Sequence, residues 1–590
     1  MKRWGRVCGA VVVAGVCAAS AVPSGPEVEE PVVPTGDPAL VAYDSCDTAA
    51  TALRRAILPH VTEYGLGGPY LTMERTVGDA APPTARTPEH STTNRHEAAA
   101  DEPDLVKTDG RRVVSVVDGR LRVLDVASGT VAGLSDLPGP ATGVLLHGDR
   151  ALVFGVATGD PVDRRIMVDA TTVTLVDLSG PPRVLGTLDV DARFVDARQV
   201  GDVVRVVVHS APNLPFGYPD GTVTPRESLR RNQEIAASAP VDAWLPRYRL
   251  AESGARSEGA LVACDRISHP DVPSATSLLT VLTFDFPGGL GTGDAVTVLA
   301  DGDTVYGTGT GLYVADARGA GFAPATVTAV HRFDVSRPGP PVYAASGEVP
   351  GVVLNQYSLS EHDGLLRVAT TLEPDATRTR SSSTVTVLRQ EGDKLVKVGA
   401  VDGLGHGERV YSVRFAGPVG YVVTFRQTDP LYTLDLSDPA KPRVTGELKI
   451  TGYSAYLHPA GDGRLLGIGQ EADERGRVRG TQVSLFDVTD PEAPTRLAAY
   501  HLPGTHSEAE FDPHAFLYRA PVLAVPVGQG VLVLDVADRA ITARGTVSHP
   551  IPGGSLRSMV IGDELWTVSH AGVRVNALDG LAERAWIPFS

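Results

Sequence analysis

Two stretches of this chain are near copies of each other. Leu431–Leu434 leads into Asp435-Leu436-Ser437-Asp438-Pro439 and then Pro442-Arg443-Val444. Val483–Phe486 leads into Asp487-Val488-Thr489-Asp490-Pro491 and then Pro494-Thr495-Arg496. Each reads as an apolar strand, an Asp-Pro turn and a return strand. Weaker copies centre on Asp125, Asp177, Asp285, Asp334 and Asp535, and Arg389 and Ala577 hold the same place in two degenerate ones. Successive centres lie 42 to 55 residues apart, except for one gap of 108 that holds a helical, Pro-rich insertion at about 211–275. A unit of this length with about four short strands cannot bury both faces alone, so units stack radially. The fold expected is an all-β propeller. Nine candidate units can be counted, but the usual range ends near eight blades. Eight four-stranded blades are therefore expected, with one weak unit irregular. The repeated Asp residues read as turn acceptors and not as catalysts.

The N-terminus has a different character. Lys2, Arg3 and Arg6 precede the apolar run Val7–Val16, and Ala19-Ser20-Ala21 supplies small residues for cleavage. Residues 1–21 read as a secretory signal peptide, which predicts a secreted or cell-surface protein. Lipid anchoring at Cys17 is less favoured, because Val16 stands where a small residue should precede the modified cysteine. No later apolar run approaches the ~20 residues of a membrane-spanning helix. Removing the signal leaves Cys46 and Cys264, and in an oxidising compartment a disulfide between them is expected. Residues 22–103 read as a linker with one short helix at about 47–58, and residues 104–590 as the propeller. Glu63–Ala100 has no period and reads as extended and poorly ordered. A Cys46–Cys264 bond brings the helix to the insertion, and together they are expected to form a lid on one face of the disc.

Several segments carry a family resemblance. They are Asp101-Glu102-Pro103-Asp104 with Leu105–Gly110, Glu408–Phe415, Tyr421–Leu431, Gly452–Pro459 and Leu466–Gly469. The chain resembles the family of secreted bacterial and archaeal proteins with a C-terminal β-propeller domain, distantly similar to WD-type repeats. Its Asp-Pro units also resemble the LVIVD repeat. The resemblance implies the propeller fold over nearly the whole mature chain and brings no particular activity. Family members tend to read Asp-His-Lys before an Ala-Phe-Leu run; here Asp512-Pro513-His514 precedes Ala515-Phe516-Leu517, so the histidine is displaced by one place.

In a propeller the innermost strands line the axis. Aligning the units puts Tyr357, Tyr411, Tyr456, His514 and Arg557 near the starts of inner strands, with Glu361, Arg409, Arg414 and His458 close by. This set is the candidate ligand-binding lining of a central channel, and Tyr, Arg and His together suit an anionic or sugar-like ligand. His458, His506, Glu508, Asp512 and His514 match no zinc spacing. Asp101, Glu102, Asp104 and Asp109 lack the EF-hand order and read as a solvated turn. No metal site and no cofactor is therefore expected. No G-x-S-x-G elbow, phosphate loop or Trp docking repeat is present. The net charge of −17 disfavours nucleic acid. The function expected is non-catalytic binding or scaffolding by a monomer, for an extracellular protein, glycan or cell-wall component. The alternative is an extracellular hydrolase or lyase working in the central pocket.

Overall fold

The computed structural model describes residues 40–66, 91, 94–157, 170–270, 275–318, 326–374, 380–425, 429–473, 476–551 and 554–589. The expected signal peptide lies outside them.

Among the described residues the strands form nine four-stranded antiparallel units, spanning 106–136, 141–190, 193–299, 304–350, 359–404, 409–450, 453–503, 517–548 and 555–588. The propeller is as expected; the count is nine and not eight. The weak units are complete blades: the first has strands Val106–Thr108, Arg112–Val117, Arg120–Asp125 and Thr130–Asp136, and the last ends in Gly572–Ala577 and Glu583–Pro588.

Each repeat centre read from the sequence falls at or near the end of a blade's third strand, as in Asp429–Asp435 and Val478–Asp487. There the Asp caps the turn. Asp435 Oδ1 accepts from the Ser437 amide at 3.0 Å and Asp487 Oδ1 from the Thr489 amide at 3.1 Å, which is the acceptor role expected. A bulge just ahead of these residues, at Thr433/Leu434 and Leu485/Phe486, tightens the twist of the outer strands. The Asp-Pro turn also serves the neighbouring blade. A Cβ at Gly446, in the fourth strand of blade 6, would lie 2.5 Å from the Pro491 carbonyl oxygen of blade 7. Only glycine lets that turn press so close.

One apolar cluster fills each gap between adjacent blades. Between blades 2 and 3 it contains Phe154, Leu175, Val206 and Phe284. Between the last blade and the first it contains Trp566, Met559, Val106 and Leu124. That final cluster closes the ring. Each such side chain contributes about 1.5–3 kcal/mol on burial.

The insertion lies between the second and third strands of blade 3, and it builds outward. Arg247–Glu252 and Ala255–Ala260 extend the outer edge of blade 2, while Ile267–Pro270 and Leu40–Ala42 extend that of blade 3. Helix α1, Cys46–Ile57, starts from a capping box at Ser45 and Thr48 and buries Ala49, Leu53 and Ile57. Helix α2, Pro225–Ser238, is capped by Thr224. Their cluster includes Leu53, Ile57, Ala236, Trp244 and Leu278. Arg54 Nε donates to the Ala239 carbonyl at 2.7 Å, and Asn232 Nδ2 to that of Thr62 at 3.0 Å. Cys46 and Cys264 form a disulfide with Cα atoms 5.2 Å apart. The expected lid is thus a lobe on the rim, because its strands find their partners on outer strands.

The disulfide closes a loop across 218 residues. Replacing both cysteines by Ser should cost about 2–5 kcal/mol. The thermal midpoint should fall, and brief trypsin treatment should cut within α2 before it cuts the blades.

Candidate functional site

Nine inner strands surround a wider axis than seven or eight would. The chain fills that space with its own residues 91 and 94–104, which lie in the hub just before the first blade. Ser91 exchanges two hydrogen bonds with Val560 of blade 9: its amide donates to the carbonyl at 2.7 Å and its Oγ accepts from the amide at 2.8 Å. Asn94 Nδ2 donates to Tyr456 Oη at 2.9 Å and to the Pro513 carbonyl at 2.8 Å. His96 Nε2 lies 3.0 Å from the Leu359 carbonyl, and its ring packs on Tyr357 and Tyr306 with centroids 4.6 and 5.2 Å away. Glu97 accepts from Tyr306 Oη at 2.7 Å. Asp101 and Gln199 exchange backbone hydrogen bonds at 2.7 Å, and Asp104 bridges in the same way to Val144. This axle touches inner strands from blade 2 to blade 9.

Its charges are paired inside the ring. Glu102 is 0% exposed and lies 3.3 Å from Arg198 Nε, whose Nη1 is 2.7 Å from Asp196 Oδ2 and whose Nη2 donates to Gln356 Oε1 at 2.5 Å. Arg557 holds Asp104 and Asp512, each at 2.6 Å. Burial pushes the Asp512 carboxyl up, but Arg557 and His514 outweigh it and hold it at about 2. Burial likewise opposes ionisation of Asp101, and Lys107 with Arg95 overcomes it, so its pKa is lowered. Glu97 and Tyr306 are both raised, chiefly by burial. The acidic run Asp101, Glu102, Asp104 is therefore no solvated turn; only Asp109 caps one, accepting from the amides of Arg111 and Arg112 at 3.0 Å. The segment expected to be poorly ordered is ordered where it is described, at 94–100. Residues 67–90, 92 and 93 lie outside the described residues.

Of the predicted channel residues, Tyr357, Arg414, Tyr456 and His458 do converge. Tyr357 and Tyr456 are each 3% exposed and pack edge to face at 5.6 Å. The Arg414 guanidinium lies 5.5 Å from the Tyr357 ring centroid and Nη1 lies 3.4 Å from His96 Nδ1. Tyr456 Oη is 3.2 Å from His458 Nδ1. Burial, helped by Arg414, lowers the His458 pKa to about 3, so its ring is neutral. His514 Nδ1 sits 3.2 Å from Asp512, which Arg557 also holds, and this second group adjoins the first through Asn94, which bonds both Tyr456 and the Pro513 carbonyl. Glu361 belongs to neither: it accepts from Tyr313 Oη at 2.7 Å. Arg409 and Tyr411 leave the hub altogether. Arg409 pairs at the surface with Glu373 at 3.0 Å. Tyr411 is 37% exposed and packs on Phe425 and Tyr453. The repeat alignment placed these two at the mouth of the strand, where alternate side chains turn outward.

Sequence reasoning missed Asn94, His96, Glu97, Glu102, Arg198 and Tyr306. The one available signal was an acidic run set directly before the first strand. The cavity beside Arg557, lined by Ser91, Asn94, Asp104, His514 and Ser558, has room for about one water. A shallow, open depression is lined by Asp101, Lys107, Thr108, Asp109, Arg111, Leu146 and Gly148. Among the described residues no group of three or more His, Cys, Asp or Glu is placed to hold a metal, and no helix is long and apolar enough to cross a membrane.

Arg198→Met strands the buried Glu102 and Asp196 charges and should cost about 3–5 kcal/mol in denaturant unfolding; adding Glu102→Gln should recover part of the loss. A second expectation concerns acid. His458 and His331 have pKa values near 3, and His549 near 4, all lowered first by burial. The unfolded chain takes up protons at these rings below about pH 6.5 while the native ring does not. Stability is thus complete above that pH and is lost as pH falls toward 3. Thermal midpoints measured from pH 7.5 to 4 should decline, and His458→Gln should flatten that decline.

The family match agrees with this architecture. A family model described as "Beta propeller domain" matches residues 90–581, beginning where the axle begins. An uncharacterised protein of Archaeoglobus fulgidus is 38% identical over 229 residues, 38% of this chain and 34% of the relative. An uncharacterised protein of Methanocaldococcus jannaschii is 38% identical over 232 residues, 39% of this chain and 36% of the relative. The chain thus spans about a third of the length of the curated relatives it matches. Among solved structures, Citrobacter koseri AztD aligns over 81% of this chain and 94% of its own at 11% identity and TM-score 0.36. Saccharomyces cerevisiae Sqt1 aligns over 54% of this chain and 83% of its own at 11% identity and TM-score 0.35. With a ring of blades, a closing apolar cluster and a family match across most of its length, the chain belongs to the Beta propeller domain family.

Proposed function

We propose that this chain is an exported, non-catalytic binding or scaffolding protein, a rigid ring that presents its loop-bearing faces to an extracellular protein, glycan or cell-wall component. The observation that carries the reading is the filled hub. Small-molecule sites are concave and hold a few convergent polar groups open to the ligand. Here the convergent groups of the axis, Arg198, Arg557, Tyr357 and Tyr456, are engaged with residues 94–104 or with one another. A hydrolase or lyase would need room for substrate and water where His96 and Asn94 stand. The N-terminal pattern of residues 1–21 and the Cys46–Cys264 bond support export, since such bonds persist outside reducing compartments. The acidic balance of the chain supports a partner other than nucleic acid.

A thermal-shift panel of sugars, short peptides, inorganic anions and divalent metals against the mature protein tests this reading. The expected response is flat. A midpoint rise of several degrees with any one compound, abolished by Arg414→Gln or Tyr456→Phe, would establish a small-molecule site in the hub and overturn it.

A further inference from the structure

Blade 2 does not stop at its fourth strand. The hairpin Arg247–Glu252 and Ala255–Ala260 continues its sheet, so that Ala255–Ala260 is the outermost of six strands. At about 4.8 Å per strand, this edge stands roughly 10 Å beyond that of a four-stranded blade. All of its residues except Gly259 are exposed. One row of backbone N–H and C=O groups therefore faces solvent, a template for another strand.

The side chains on this edge are arranged for one particular partner. Asp189 stands opposite Arg249, and Arg249 opposite Glu258, so a row of alternating charge crosses three strands and ends at the rim. Arg249 Nε is 3.8 Å from Asp189 Oδ2. Two residues before Glu258, on the same face, Arg256 stands opposite Ala251. Among the described residues neither Arg256 nor Glu258 makes an ion pair. A second strand of the same sequence, run antiparallel about a two-fold axis at Ser257, would set Arg256 against the partner's Glu258 and Glu258 against the partner's Arg256. The row would then continue unbroken through both copies. Shifting the axis to position 256 or 258 would set like charges face to face, so the charges also fix the register.

We infer that this edge pairs with the same edge of a second copy, joining two rings rim to rim in a two-fold dimer. The inference departs from the monomer expected from the sequence. Charges on an exposed edge usually keep strands apart, and a row of one sign would do so here. Opposite signs two residues apart attract a copy of themselves. The contact is a single six-residue edge, well below the ~1,000 Å² of a stable interface, so the dimer is weak and depends on protein concentration and salt.

Sedimentation velocity of the mature protein over a concentration series, at low and at high salt, tests it. The expected result is a monomer–dimer equilibrium that shifts toward monomer as salt rises. R256E and E258R should each weaken association about tenfold, and R256E/E258R together should restore it. All three are surface changes, and an unchanged circular dichroism melt confirms folding. Mild oxidation supplies an independent readout. Ser257→Cys should cross-link into a dimer, because the two copies of that position face each other within disulfide range; Ala255→Cys should not. A monomer at the highest soluble concentration overturns the inference. So does a dimer that R256E leaves unchanged, which would belong to another surface or to a different partner chemistry.

Discussion

A ring of nine blades has to fill its own centre. Strand sheets packed radially leave an axial space that widens with each added blade, and interiors of proteins tolerate few voids. This chain meets the constraint with residues 91 and 94–104, and the cost of burying them shapes their chemistry. A stretch with no secondary structure of its own brings unpaired amides and carbonyls, each of which needs a partner once it leaves water. The bridges Asp101 to Gln199 and Asp104 to Val144, and the hydrogen bonds of Ser91, supply some of them. The segment's side chains add ties of their own: Asn94, His96 and Glu97 each reach a group on a different inner strand.

The same constraint explains why the hub is rich in ions. Glu102 cannot be buried alone, since an isolated carboxylate in a low-dielectric interior is strongly unfavourable. It needs Arg198, which in turn is completed by Asp196 and Gln356. Asp104, Arg557 and Asp512 repeat the logic. Such pairs are weak contributors to net stability against an apolar alternative, but removing one partner is severe. They also set position: an axle held by charges at defined places cannot slide along the axis as an apolar one could.

The blades were legible in the sequence and the axle was not, and the difference is physical. A blade repeats, so its signal is averaged over nine copies. The turn acceptors Asp435 and Asp487 state their role locally, bonding to amides two residues on. Even the unit centred on Ala577, with Ala in place of the central Asp, kept its spacing and proved to be a full blade. The axle occurs once, and several of its partners are remote: Arg557 is 453 positions from Asp104, and Tyr456 is 362 from Asn94. Lys107 and Arg95 stand near Asp101 in the chain, but no local pattern reveals that Glu102 and Asp104 are buried when the cations that hold them, Arg198 and Arg557, are so remote. The same reasoning covers Arg409 and Tyr411. Alignment of repeats identified their strand correctly, but a β-bulge between Val410 and Ser412 changes which side chains face the axis. The insertion was found as an interruption of the period; that it builds outward was decided by strand pairing, which a spacing argument does not see.

With its axis closed, the ring has two kinds of surface left: the loop-bearing faces and the outer edges of the blades. Most blades end in a fourth strand, but blades 2 and 3 carry extra strands; the insertion supplies three of them and Leu40–Ala42 the fourth, and the insertion is fastened to the N-terminal helix by a disulfide. Elements that stand proud of a disc add little to its core: Tyr248 and Leu250 of the extra hairpin pack against the cluster between blades 2 and 3. Their cost in ordering entropy is offset by a small core of their own, built around Leu53, Ile57 and Trp244. That separate core ties the N-terminal helix and the insertion to the edge of blade 3, through Ile267, Leu278 and Leu299. The hub, which the fold at first suggests as an open channel, is instead packed with the chain's own side chains.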